Sequence, residues 1–555
     1  MNSTAARAFT HEPPSVAGPV SSVPTLQGAD WVLLATVMVL AALVRVVFFT
    51  GFFGSDEVTY VEAAIAAANR SWQNSTYIGS IRLGVNYPMA AAIAVFGSSV
   101  IAASLWGFLC SVLEVGVVYW FGRRAVGRPL AVAASLLIAL LPLHVHLAGR
   151  VMADPPLALF ISLSFVCLFE AEQRNRRDLY ILAGACAGFV FWIKEAATVF
   201  VLVFAVWACV RRRNVNGWLW AGTAMAAVIA ANFALMWTLS GNPLHLVDAV
   251  RASVRRYADP AQLGSINDDR SAVYYIKYLF AYIWHTWLLG YLAVLGVVAA
   301  IVRIRRHVPE VLALIYLLVW GLGLVGIFSL FVVSVSPLRL IPKQTNYMTI
   351  FLAPLCLLGG LAIVQLRNTA SRGLVLGAYA AGALLLSALE QQTIRTFTAN
   401  SRASLAFAAE HPDSTIHVVT NTERLDLWVA MVSGTGLEPT RNLRPMSDLF
   451  SGRPRSSGST EPPHGAGDTL AIVDRQTLDW GNNGLRSTRD VPRCWEKITT
   501  LHPPADPAAG HFVTSWAVKL MQSLPGTIAQ RVASKLESQL TPLPADVYRI
   551  PPGCG

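Results

Sequence analysis

The 555-residue sequence predicts a mainly α-helical protein, in which a polytopic bundle of transmembrane helices is followed by a small α/β domain. Hydrophobic residues make up 54% of the chain and charged residues only 14%, whereas about a quarter of the residues of a soluble domain are charged. The apolar residues also come in runs of about 20, which is the length that a helix needs to cross the hydrocarbon core of a bilayer. The chain therefore requires lipid as its solvent.

About eleven apolar runs are bounded by charged or turn residues, and each run is predicted to be a span. They cover residues 31–50, 99–121, 129–147, 155–171, 179–193, 196–210, 217–238, 276–302, 309–334, 347–366 and 373–389. The fifth and sixth runs are short, and they could instead form one re-entrant pair around Lys194 and Glu195. Because the first run starts late and is long, it is expected to be a retained span rather than a cleaved signal peptide.

Clusters of arginine in the short loops predict the orientation of the chain. They are Arg123, Arg124 and Arg128; Arg174, Arg176 and Arg177; Arg211, Arg212 and Arg213; Arg303, Arg305 and Arg306; and Arg367 and Arg372. Positively charged short loops stay on the cytoplasmic side, so we expect these loops and the N-terminus to be cytoplasmic in a multi-pass protein of the cell membrane. The same clusters contribute to the net charge of +11, and nucleic acid is not an expected partner.

Three regions follow from this orientation. Residues 1–28, rich in Pro, Ser, Ala and Thr, are expected to be a disordered cytoplasmic tail. Residues 29–389 form the predicted transmembrane domain, and residues 390–555 form an extracytoplasmic α/β domain. The outer face also receives loops 51–98 and 239–275, and long loops without repeats usually carry function.

The C-terminal region combines strand and helix patterns. Residues 415–421 and 469–474 alternate like strands, and residues 423–433 between them have a helical pattern. Residues 450–467 are rich in Ser, Pro and Gly and are predicted to be a flexible insert. Residues 513–540 have helical periodicity, and this segment could lie either on the membrane surface or on the domain.

Cys494 and Cys554 are the two of the seven cysteines that lie outside the predicted membrane region. In an oxidising compartment they can pair as a disulfide, and otherwise they are two free thiols. The other five cysteines lie within apolar runs, where cysteine behaves as a small hydrophobic residue. The sequence contains no Cys/His spacing typical of a zinc site.

Two adjacent acids, Asp56 and Glu57, follow the first span and open a helical pattern that continues through Tyr60 and Ala64. One interpretation is purely structural, with Ser55 or Asp56 as the N-cap of a helix that has an acidic first turn. The other is functional, with a carboxylate held at the membrane surface as a general base.

The third span ends in His144 and His146, and Arg150 and Asp154 follow it. Arg150 and Asp154 are four residues apart, so they could pair on one helical face, or both could lie beside Asp56. The two histidines are two residues apart and would point to different faces of a helix, which disfavours a shared metal ion. Glu114 in the middle of the second span is expected to be a buried, hydrogen-bonded acid rather than a proton carrier.

Several cations lie where the orientation rule does not expect them. Lys194 lies between two apolar runs, and a charge within a span costs about 2.5–3.5 kcal/mol. It is therefore either functional or a marker of a turn at the outer surface. Arg270 and Lys343 lie on predicted outer loops. A lipid-linked phosphate on that face would explain such cations, although a solvated loop surface would explain most of them individually.

Several short motifs follow one another in a definite order. They are Asp56-Glu57 with Tyr60, Tyr87-Pro88, Phe96-Gly97, Arg123-Arg124 with Gly127-Arg128, the Gly-Arg-Val-Met-Ala-Asp-Pro-Pro-Leu of residues 149–157, and Lys194. This order resembles the GT-C superfamily of membrane glycosyltransferases, in the branch with protein O-mannosyltransferases and the lipid A aminoarabinose transferase. The stretches 270–275 and 343–354 resemble the aminoarabinose transferase in particular. Asn86 and Tyr87, however, stand where that enzyme has an acidic residue and a lysine.

The resemblance implies an inverting transferase that moves a sugar from a polyprenyl-phosphate donor to a lipid, glycan or protein acceptor on the outer face of the membrane. It implies Asp56 as the base, with Glu57 and Asp154 positioning it. A divalent metal ion is compatible with this chemistry but not required by it, and Asp56 and Asp154 would be its ligands. The residues implied in binding the donor phosphate are Arg82, Arg150, Lys194, Arg270, Lys343 and Tyr347.

Three other classes of function are alternatives to a glycosyltransferase. A transporter or lipid flippase would also need many spans, but it predicts internal repeats and helices broken near the midplane. The sequence has no twofold repeat, and its isolated charges cluster at one face. A scaffold or receptor would leave Asp56, Asp154 and Lys194 unexplained. A lipid-linked polymer ligase shares the substrate class but lacks the Asp-Glu opening.

Overall fold

The computed structural model describes residues 27–72, 75, 77–211, 214–258, 270–336, 338–419, 442–450, 468–480, 483–503 and 508–554. The helices of the first half are α1 (Gly28–Val47), α2 (Asp56–Ala68), α3 (Leu83–Phe96), α4 (Val100–Ala125), α5 (Arg128–Leu140), α6 (Pro142–Ala148), α7 (Asp154–Arg174), α8 (Arg177–Ile193), α9 (Val201–Arg211) and α10 (Val215–Ser240). Those of the second half are α11 (His245–Ala258), α12 (Tyr274–Ala281), α13 (Ile283–Thr286), α14 (Leu289–Arg305), α15 (Val311–Leu330), α16 (Thr349–Val364), α17 (Thr369–Glu410), α18 (Ala509–Ser523) and α19 (Thr527–Leu540).

Membrane-spanning helices dominate the described part of the chain, so the protein is a multi-pass membrane protein. Within that part, 7 helices are long and apolar enough to cross a bilayer. They are α1, α4, α7, α10, α15, α16 with the short 3-10 turn before it, and α17. An eighth span is formed if α5 and α6 are counted as one helix bent by 60°. Pro142 opens α6 at this bend, and proline lacks the amide that would continue the hydrogen bonding of α5.

Two predicted spans differ in the structure. The span predicted at 276–302 consists of three helices, α12, α13 and α14, and Trp287 between the last two has φ +48°. A helix cannot continue through this left-handed conformation. The span predicted at 309–334 ends as a helix at Leu330, and Val332–Val335 forms strand β1, which pairs antiparallel with β2 (Leu338–Leu340). Apolar aromatic and β-branched residues lie at both breaks, so the apolar run in the sequence continues across each break.

The chain turns back at Lys194. Helix α8 ends at Ile193, and Lys194 is extended, with φ −159° and ψ 93°. A 3-10 segment, Glu195–Phe200, leads into α9, which ends at Arg211. Helix α8 starts at Arg177, so each of the two helices has an arginine at the end away from the turn. Lys194 lies at the opposite end of the pair.

A buried polar network joins four helices in the core. The Arg45 guanidinium donates to Ser111 Oγ at 2.7 Å and lies 2.6 Å from His144 Nδ1. The other ring nitrogen of His144 lies 2.9 Å from one carboxylate oxygen of Glu114. The second Glu114 oxygen accepts a hydrogen bond from the Ser162 hydroxyl at 2.9 Å. This confirms Glu114 as a buried, hydrogen-bonded acid, and it shows why α1, α4, α6 and α7 hold one arrangement.

Ion pairs gather the arginine-rich loops at one end of the bundle. Asp30 of α1 pairs with Arg123 at 3.0 Å and Arg128 at 2.7 Å. Glu170, near the end of α7, pairs with Arg124 and Arg174, both at 2.9 Å. Helix α7 starts at Asp154, and its 21 residues span about 30 Å. Asp154 therefore lies at the end of the bundle away from these arginines.

A mixed five-stranded sheet forms the small C-terminal domain. Its strands are β3 (Thr415–Val418), β4 (Leu443–Pro445), β5 (Thr469–Asp474), β6 (Glu496–Leu501) and β7 (Ala545–Arg549), in the order β4-β3-β5-β7-β6. Strand β3 is parallel to β4 and β5, and β7 is antiparallel to β5 and β6. Residues 415–418 of the strand predicted at 415–421 form β3, and the strand predicted at 469–474 is β5. Residues 420 and 421 lie outside the part of the chain that the structure describes. The predicted helix at 423–433 and residues 451–467 of the predicted insert lie outside the described residues.

Helix α17 joins the membrane region to this sheet without a break. Its 42 residues run across position 390, where the sequence analysis divides the two domains. Asn400 of α17 donates to the carboxylate of Asp474 at the end of β5, at 2.7 Å. Cys494 and Cys554 form a disulfide with a Cα–Cα distance of 6.1 Å. The predicted helical segment 513–540 lies within α18 and α19, which are separated by the turn that contains Pro525 and Gly526.

The core network leads to a prediction about stability. Replacing Glu114 with Leu leaves the Arg45 guanidinium and His144 without their anionic partner, and breaking such a buried arrangement costs about 3–5 kcal/mol. We expect Glu114→Leu to lower the thermal unfolding temperature in detergent clearly more than Ser162→Ala does, since Ser162→Ala removes one hydrogen bond worth about 1 kcal/mol. Equal unfolding temperatures for Glu114→Leu and the unmodified protein would contradict the role given to this network.

Candidate functional site

The predicted site residues lie on segments that meet at the end of the bundle away from the arginine clusters. These segments are the start of α2, the link between α6 and α7, the turn at Lys194, the start of α3 and the 3-10 segment Thr345–Met348. Most of them begin or end a helix, where side chains reach past the apolar core. Residues far apart in the sequence therefore become neighbours at one surface.

Glu57 and Arg150 form the tightest pair of the site. The Arg150 guanidinium donates to one Glu57 carboxylate oxygen through two nitrogens, at 2.7 and 2.5 Å. The second oxygen accepts hydrogen bonds from the backbone amide and hydroxyl of Ser55, at 2.9 and 2.5 Å. Burial opposes the ionisation of Glu57, but Arg150 and Ser55 outweigh it, so the pKa of Glu57 lies below its ordinary value. Glu57 is consequently a charged, fully engaged group.

Arg150 and Asp154 do not form the pair that their spacing in the sequence allowed. Helix α6 ends at Ala148, and α7 starts at Asp154, so the three residues between Arg150 and Asp154 are not helical. The helical spacing rule does not apply to this link. Arg150 faces Glu57 and lies 4.8 Å from the centre of the Phe53 ring, whereas Asp154 faces a different cation.

Asp154 pairs with Lys194 in a buried cluster. Lys194 Nζ donates to one Asp154 oxygen at 3.1 Å, and the Asn346 amide donates to the other at 3.1 Å. The same ammonium lies 4.0 Å from the centre of the Tyr347 ring, which is a cation–π contact. Asp154 and Lys194 are 1% and 6% exposed, and this pairing satisfies charges that would otherwise be costly to bury.

Arg82 opens α3 and joins a third pair. Its guanidinium donates to the Tyr60 hydroxyl at 2.5 Å and lies 3.5 Å from the Glu195 carboxylate. Lys343 is buried and donates to the carbonyl of Phe328 at 2.8 Å, with its ammonium 6.0 Å from the ring of Tyr275. These contacts place Lys343 at the end of α15.

Arg270 is half-buried and lies four residues before α12. Tyr274 at the start of that helix bonds the hydroxyl of Thr345 at 3.1 Å. The chain after Arg270 therefore meets the segment that carries Asn346 and Tyr347. Asp268 and Asp269, which precede Arg270 in the same loop, lie outside the described residues.

Asp56 faces a cavity of about 360 Å³. It is the first residue of α2, and one of its carboxylate oxygens accepts a hydrogen bond from the Tyr77 hydroxyl at 2.7 Å. Burial and the Asp56 carboxylate raise the pKa of Tyr77 above its ordinary value, so Tyr77 remains a donor. The other lining residues are Ser55, Leu143, His146, Leu147, Arg150, Met152, His285, Gln344, Thr345, Asn346, Glu390 and Ile394.

Three titratable residues of the cavity were not predicted as members of the site. His146 is buried in the wall, His285 lies on α13, and Glu390 lies on α17. His285 Nε2 is 3.4 Å from a Glu390 oxygen, and its Nδ1 is 3.0 Å from the Tyr278 hydroxyl. The sequence placed His285 inside one predicted span and Glu390 just after another, so only the break at α13 and the length of α17 bring them here.

The three predicted carboxylates have different surroundings. Glu57 and Asp154 are buried and each bond a cation, whereas Asp56 is exposed to the cavity, and no cation is within ion-pair distance of it in the described part of the chain. Asp56 also lies at the positive end of the α2 dipole, which stabilises its charge. This arrangement suits a carboxylate that accepts a proton from a bound hydroxyl group.

The described residues do not fit a divalent metal ion ligated by Asp56 and Asp154. Both oxygens of Asp154 already accept hydrogen bonds, from Lys194 and Asn346, and the positive charge of the Lys194 ammonium 3.1 Å away opposes a second cation at this carboxylate. Among the residues that the structure describes, no group of three or more His, Cys, Asp and Glu side chains could hold a metal ion.

Comparisons with known proteins agree on the type of fold. Residues 83–237 match the family model described as dolichyl-phosphate-mannose-protein mannosyltransferase. ArnT from Cupriavidus metallidurans in its apo crystal structure superposes with a TM-score of 0.52 at 16% identity, covering 85% of this chain and 96% of that chain. Its structure with bound undecaprenyl phosphate superposes with a TM-score of 0.52 at 15% identity, covering 86% and 97%.

A second enzyme has a similar fold. The oligosaccharyltransferase AglB from Archaeoglobus fulgidus, in complex with an inhibitory peptide and a dolichol-phosphate, superposes with a TM-score of 0.50 at 11% identity, covering 94% of this chain and 89% of that chain. No curated protein sequence matches this chain significantly. The likeness therefore concerns the fold, and the chemistry must be argued from the residues of this chain.

The Glu57–Arg150 pair leads to a prediction with a defined pH dependence. Glu57→Gln removes the charge that Arg150 faces, and we expect it to lower the free energy of unfolding by about 3 kcal/mol at neutral pH. Because Arg150 and Ser55 lower the pKa of Glu57 despite its burial, its charge stabilises the folded state above the ordinary pKa of 4.5 and loses this effect as the pH falls. The stability difference should therefore stay constant from about pH 7 to about pH 5 and shrink as the pH falls below 4.5 and through the lower folded-state pKa of Glu57, as measured by thermal unfolding from about pH 7 to about pH 2.

The control is Glu410→Gln, which makes the same change at the exposed last residue of α17. It should have little effect on the unfolding temperature across this pH range. A stability difference between Glu57→Gln and the unmodified protein that stays the same from about pH 7 to about pH 2 would contradict the ionised state given to Glu57.

Proposed function

This chain has the GT-C fold of membrane glycosyltransferases, and we propose that it transfers a sugar from a polyprenyl-phosphate donor to a hydroxyl group of a lipid, glycan or protein acceptor, with inversion at the anomeric carbon. The observation that carries the proposal is the contrast among the three carboxylates. Asp56 alone of the three is exposed to the cavity, while Glu57 and Asp154 are each neutralised by a cation. One free base beside a group of cations suits a reaction with a phosphate leaving group.

The proposed reaction needs a single base. Asp56 accepts the proton of the acceptor hydroxyl while the acceptor oxygen bonds to the anomeric carbon. The bond between that carbon and the phosphate oxygen breaks, and its electron pair stays on the departing polyprenyl phosphate. Attack from the face opposite the phosphate inverts the anomeric carbon. Asp56 then returns its proton to water that enters the cavity, so no second carboxylate is consumed.

Cations would stabilise the charge that develops on the leaving phosphate. Lys194 and Arg82 are the best placed, because both are held at the cavity end of the bundle by anionic partners. An ammonium has three N–H donors, and the bond to Asp154 uses one of them. Tyr347 lies against Lys194 and offers its hydroxyl to the same phosphate. Arg150, which lines the cavity, and the cations Arg270 and Lys343 would add further positive charge to the phosphate site.

Two of the similar structures support the choice of donor. One of the ArnT structures contains bound undecaprenyl phosphate, and the AglB complex contains a dolichol-phosphate. Both ligands are polyprenyl phosphates. A transporter shares the requirement for many spans, but the two similar folds belong to transferases, and the polar cluster of this chain lies at one end of the bundle rather than at its midplane.

We place the arginine-rich end of the bundle in the cytoplasm and the cavity at the outer face of the cell membrane. Five arginine clusters at one end support this orientation through the positive-inside rule. The Cys494–Cys554 disulfide supports it independently, because disulfides persist in oxidising compartments. The C-terminal sheet then lies outside, on the same side as the cavity.

The first test concerns the base. Asp56→Asn keeps the size of the side chain and its hydrogen bond to Tyr77, but it cannot accept the proton. We expect the folded variant to release polyprenyl phosphate from a panel of polyprenyl-phosphate sugars at least about 100-fold more slowly than the unmodified protein. Asp178→Asn, which changes an exposed aspartate at the arginine-rich end, is the control and should keep full activity.

The three outcomes of this test differ in meaning. Slow turnover by Asp56→Asn alone supports both the reaction and its base. Full activity in Asp56→Asn would be consistent with the reaction class but would contradict the assignment of Asp56 as the base. If the unmodified protein consumes no donor, the transferase proposal fails and lipid translocation becomes the activity to measure.

The second test concerns the phosphate. Lys194→Met removes the ammonium next to Tyr347, and we expect a rise of at least about tenfold in the Kd for polyprenyl phosphate, because each charge-assisted bond contributes about 1.5–3 kcal/mol. Lys277→Met, on the exposed face of α12, is the control. The double variant Lys194→Met/Asp154→Asn removes both charges of the buried pair, so weak binding in this folded protein is not a consequence of an unpaired Asp154. Unchanged binding in the double variant would contradict the role of Lys194.

A further inference from the structure

Helix α18 is apolar on two opposite faces. Its first apolar face, with Ala517 and Val518, is buried. Phe512, Trp516 and Leu520 follow one another at intervals of four residues and lie on the opposite face, where they are 75%, 56% and 39% exposed. A helix in a water-soluble domain normally carries polar residues on its outer face. This outer face is therefore expected to have an apolar neighbour.

The buried face shows where α18 lies. The backbone amide of Gly510 donates to the side chain of Gln391 on α17 at 2.8 Å. Further along α18, Ala517 and Val518 form one apolar cluster with Leu386 and Leu389 of α17. As α18 proceeds, its contacts therefore move from residue 391 of α17 back towards residue 386. It runs along α17 in the direction of the membrane.

The part of α17 that α18 covers belongs to a membrane span. Leu386 and Leu389 lie in the apolar run 373–389, within a helix long and apolar enough to cross a bilayer. Trp287 packs on the same cluster, and its neighbours Tyr282 and Trp284 are 53% and 48% exposed. Exposed Trp and Tyr are typical of the level where lipid headgroups meet the acyl chains. The second half of α18 therefore lies next to residues at the level of the lipid headgroups.

We propose that α18 and its turn into α19 lie in the outer interface of the lipid bilayer, with the stripe of Phe512, Trp516 and Leu520 in contact with lipid. Leu524 and Ile528, on either side of the turn, are 44% and 78% exposed and continue this apolar surface at the tip. The hairpin would hold the C-terminal domain against the bilayer, independently of the reaction that the cavity performs.

The charges of the hairpin suit a lipid surface with anionic headgroups. Between residues 509 and 540 the basic residues Lys519, Arg531 and Lys535 stand against a single acid, Glu537, and all four side chains are exposed. Cations at a membrane surface are attracted to anionic lipids. A protein partner is an alternative occupant, but α18 packs beside a membrane span, and lipid is the neighbour that this position supplies.

The test uses the full protein in nanodiscs of phosphatidylethanolamine and phosphatidylglycerol. Cys209→Ser first removes the exposed free cysteine, and single cysteines at Trp516 or Leu520 are then labelled with an environment-sensitive fluorophore. Glu537→Cys is the control, because it is exposed on α19 and lies nine residues beyond Ile528, about 14 Å from the tip. The replaced side chains are exposed, so the labelled proteins should fold, which size-exclusion chromatography checks.

We expect lipids brominated on their acyl chains to reduce the fluorescence at Trp516→Cys and Leu520→Cys at least twofold more than at Glu537→Cys. Aqueous iodide should show the opposite order. Labels at 516 and 520 that iodide quenches as strongly as the label at 537, with no effect of brominated lipid, would overturn the proposal. Labels shielded from both quenchers would also overturn it, because they would indicate a protein partner on this face.

Discussion

The burial of the Glu57 carboxylate against Arg150 is the constraint on which the candidate site depends. A buried carboxylate must be paired, and Glu57 obtains two bonds from Arg150 and two from Ser55. These bonds fix the first turn of α2 against the link between α6 and α7. Asp56, the neighbouring residue, faces the cavity, which Arg150 and Met152 of that link also line. Glu57 thus has a structural role, and Asp56 stays exposed to the cavity.

The same rule organises the remaining charges at this end of the bundle. Asp154 and Lys194 bury each other with Asn346 as an additional donor, and Arg82 lies between Tyr60 and Glu195. These partners come from segments more than 20 residues apart in the chain. Arg150, Lys194 and Arg82 are each held by an anionic partner. The candidate site is therefore organised in advance, and the proposed transfer would need little reorganisation as charge develops on a phosphate.

Helix α17 transmits this organisation to the C-terminal domain. It crosses the membrane, lines the cavity with Glu390, bonds the sheet through Asn400 and supports α18. The loop before Asp56 also contacts this assembly, since the Phe53 ring lies 4.7 Å from Phe397 of α17 and 5.2 Å from Trp480. The membrane domain and the sheet are therefore joined by direct contacts near the cavity. The proposed contact of the hairpin with lipid would affect the position of both.

The sequence by itself determined the membrane class, most of the helices and the arginine-rich end, because span length and charge cost are local properties of the chain. It predicted Asp56, Glu57, Asp154 and Lys194 as one group through an order of motifs that resembles the GT-C superfamily. The tertiary structure decided the partners: Glu57 rather than Asp154 for Arg150, and Asn346 and Tyr347 around Lys194. It also decided the breaks at Tyr282 and Trp287 and the entry of His285 and Glu390 into the cavity. Pairing depends on which helix ends become neighbours in space, and helix packing sets that through contacts between residues far apart in the sequence.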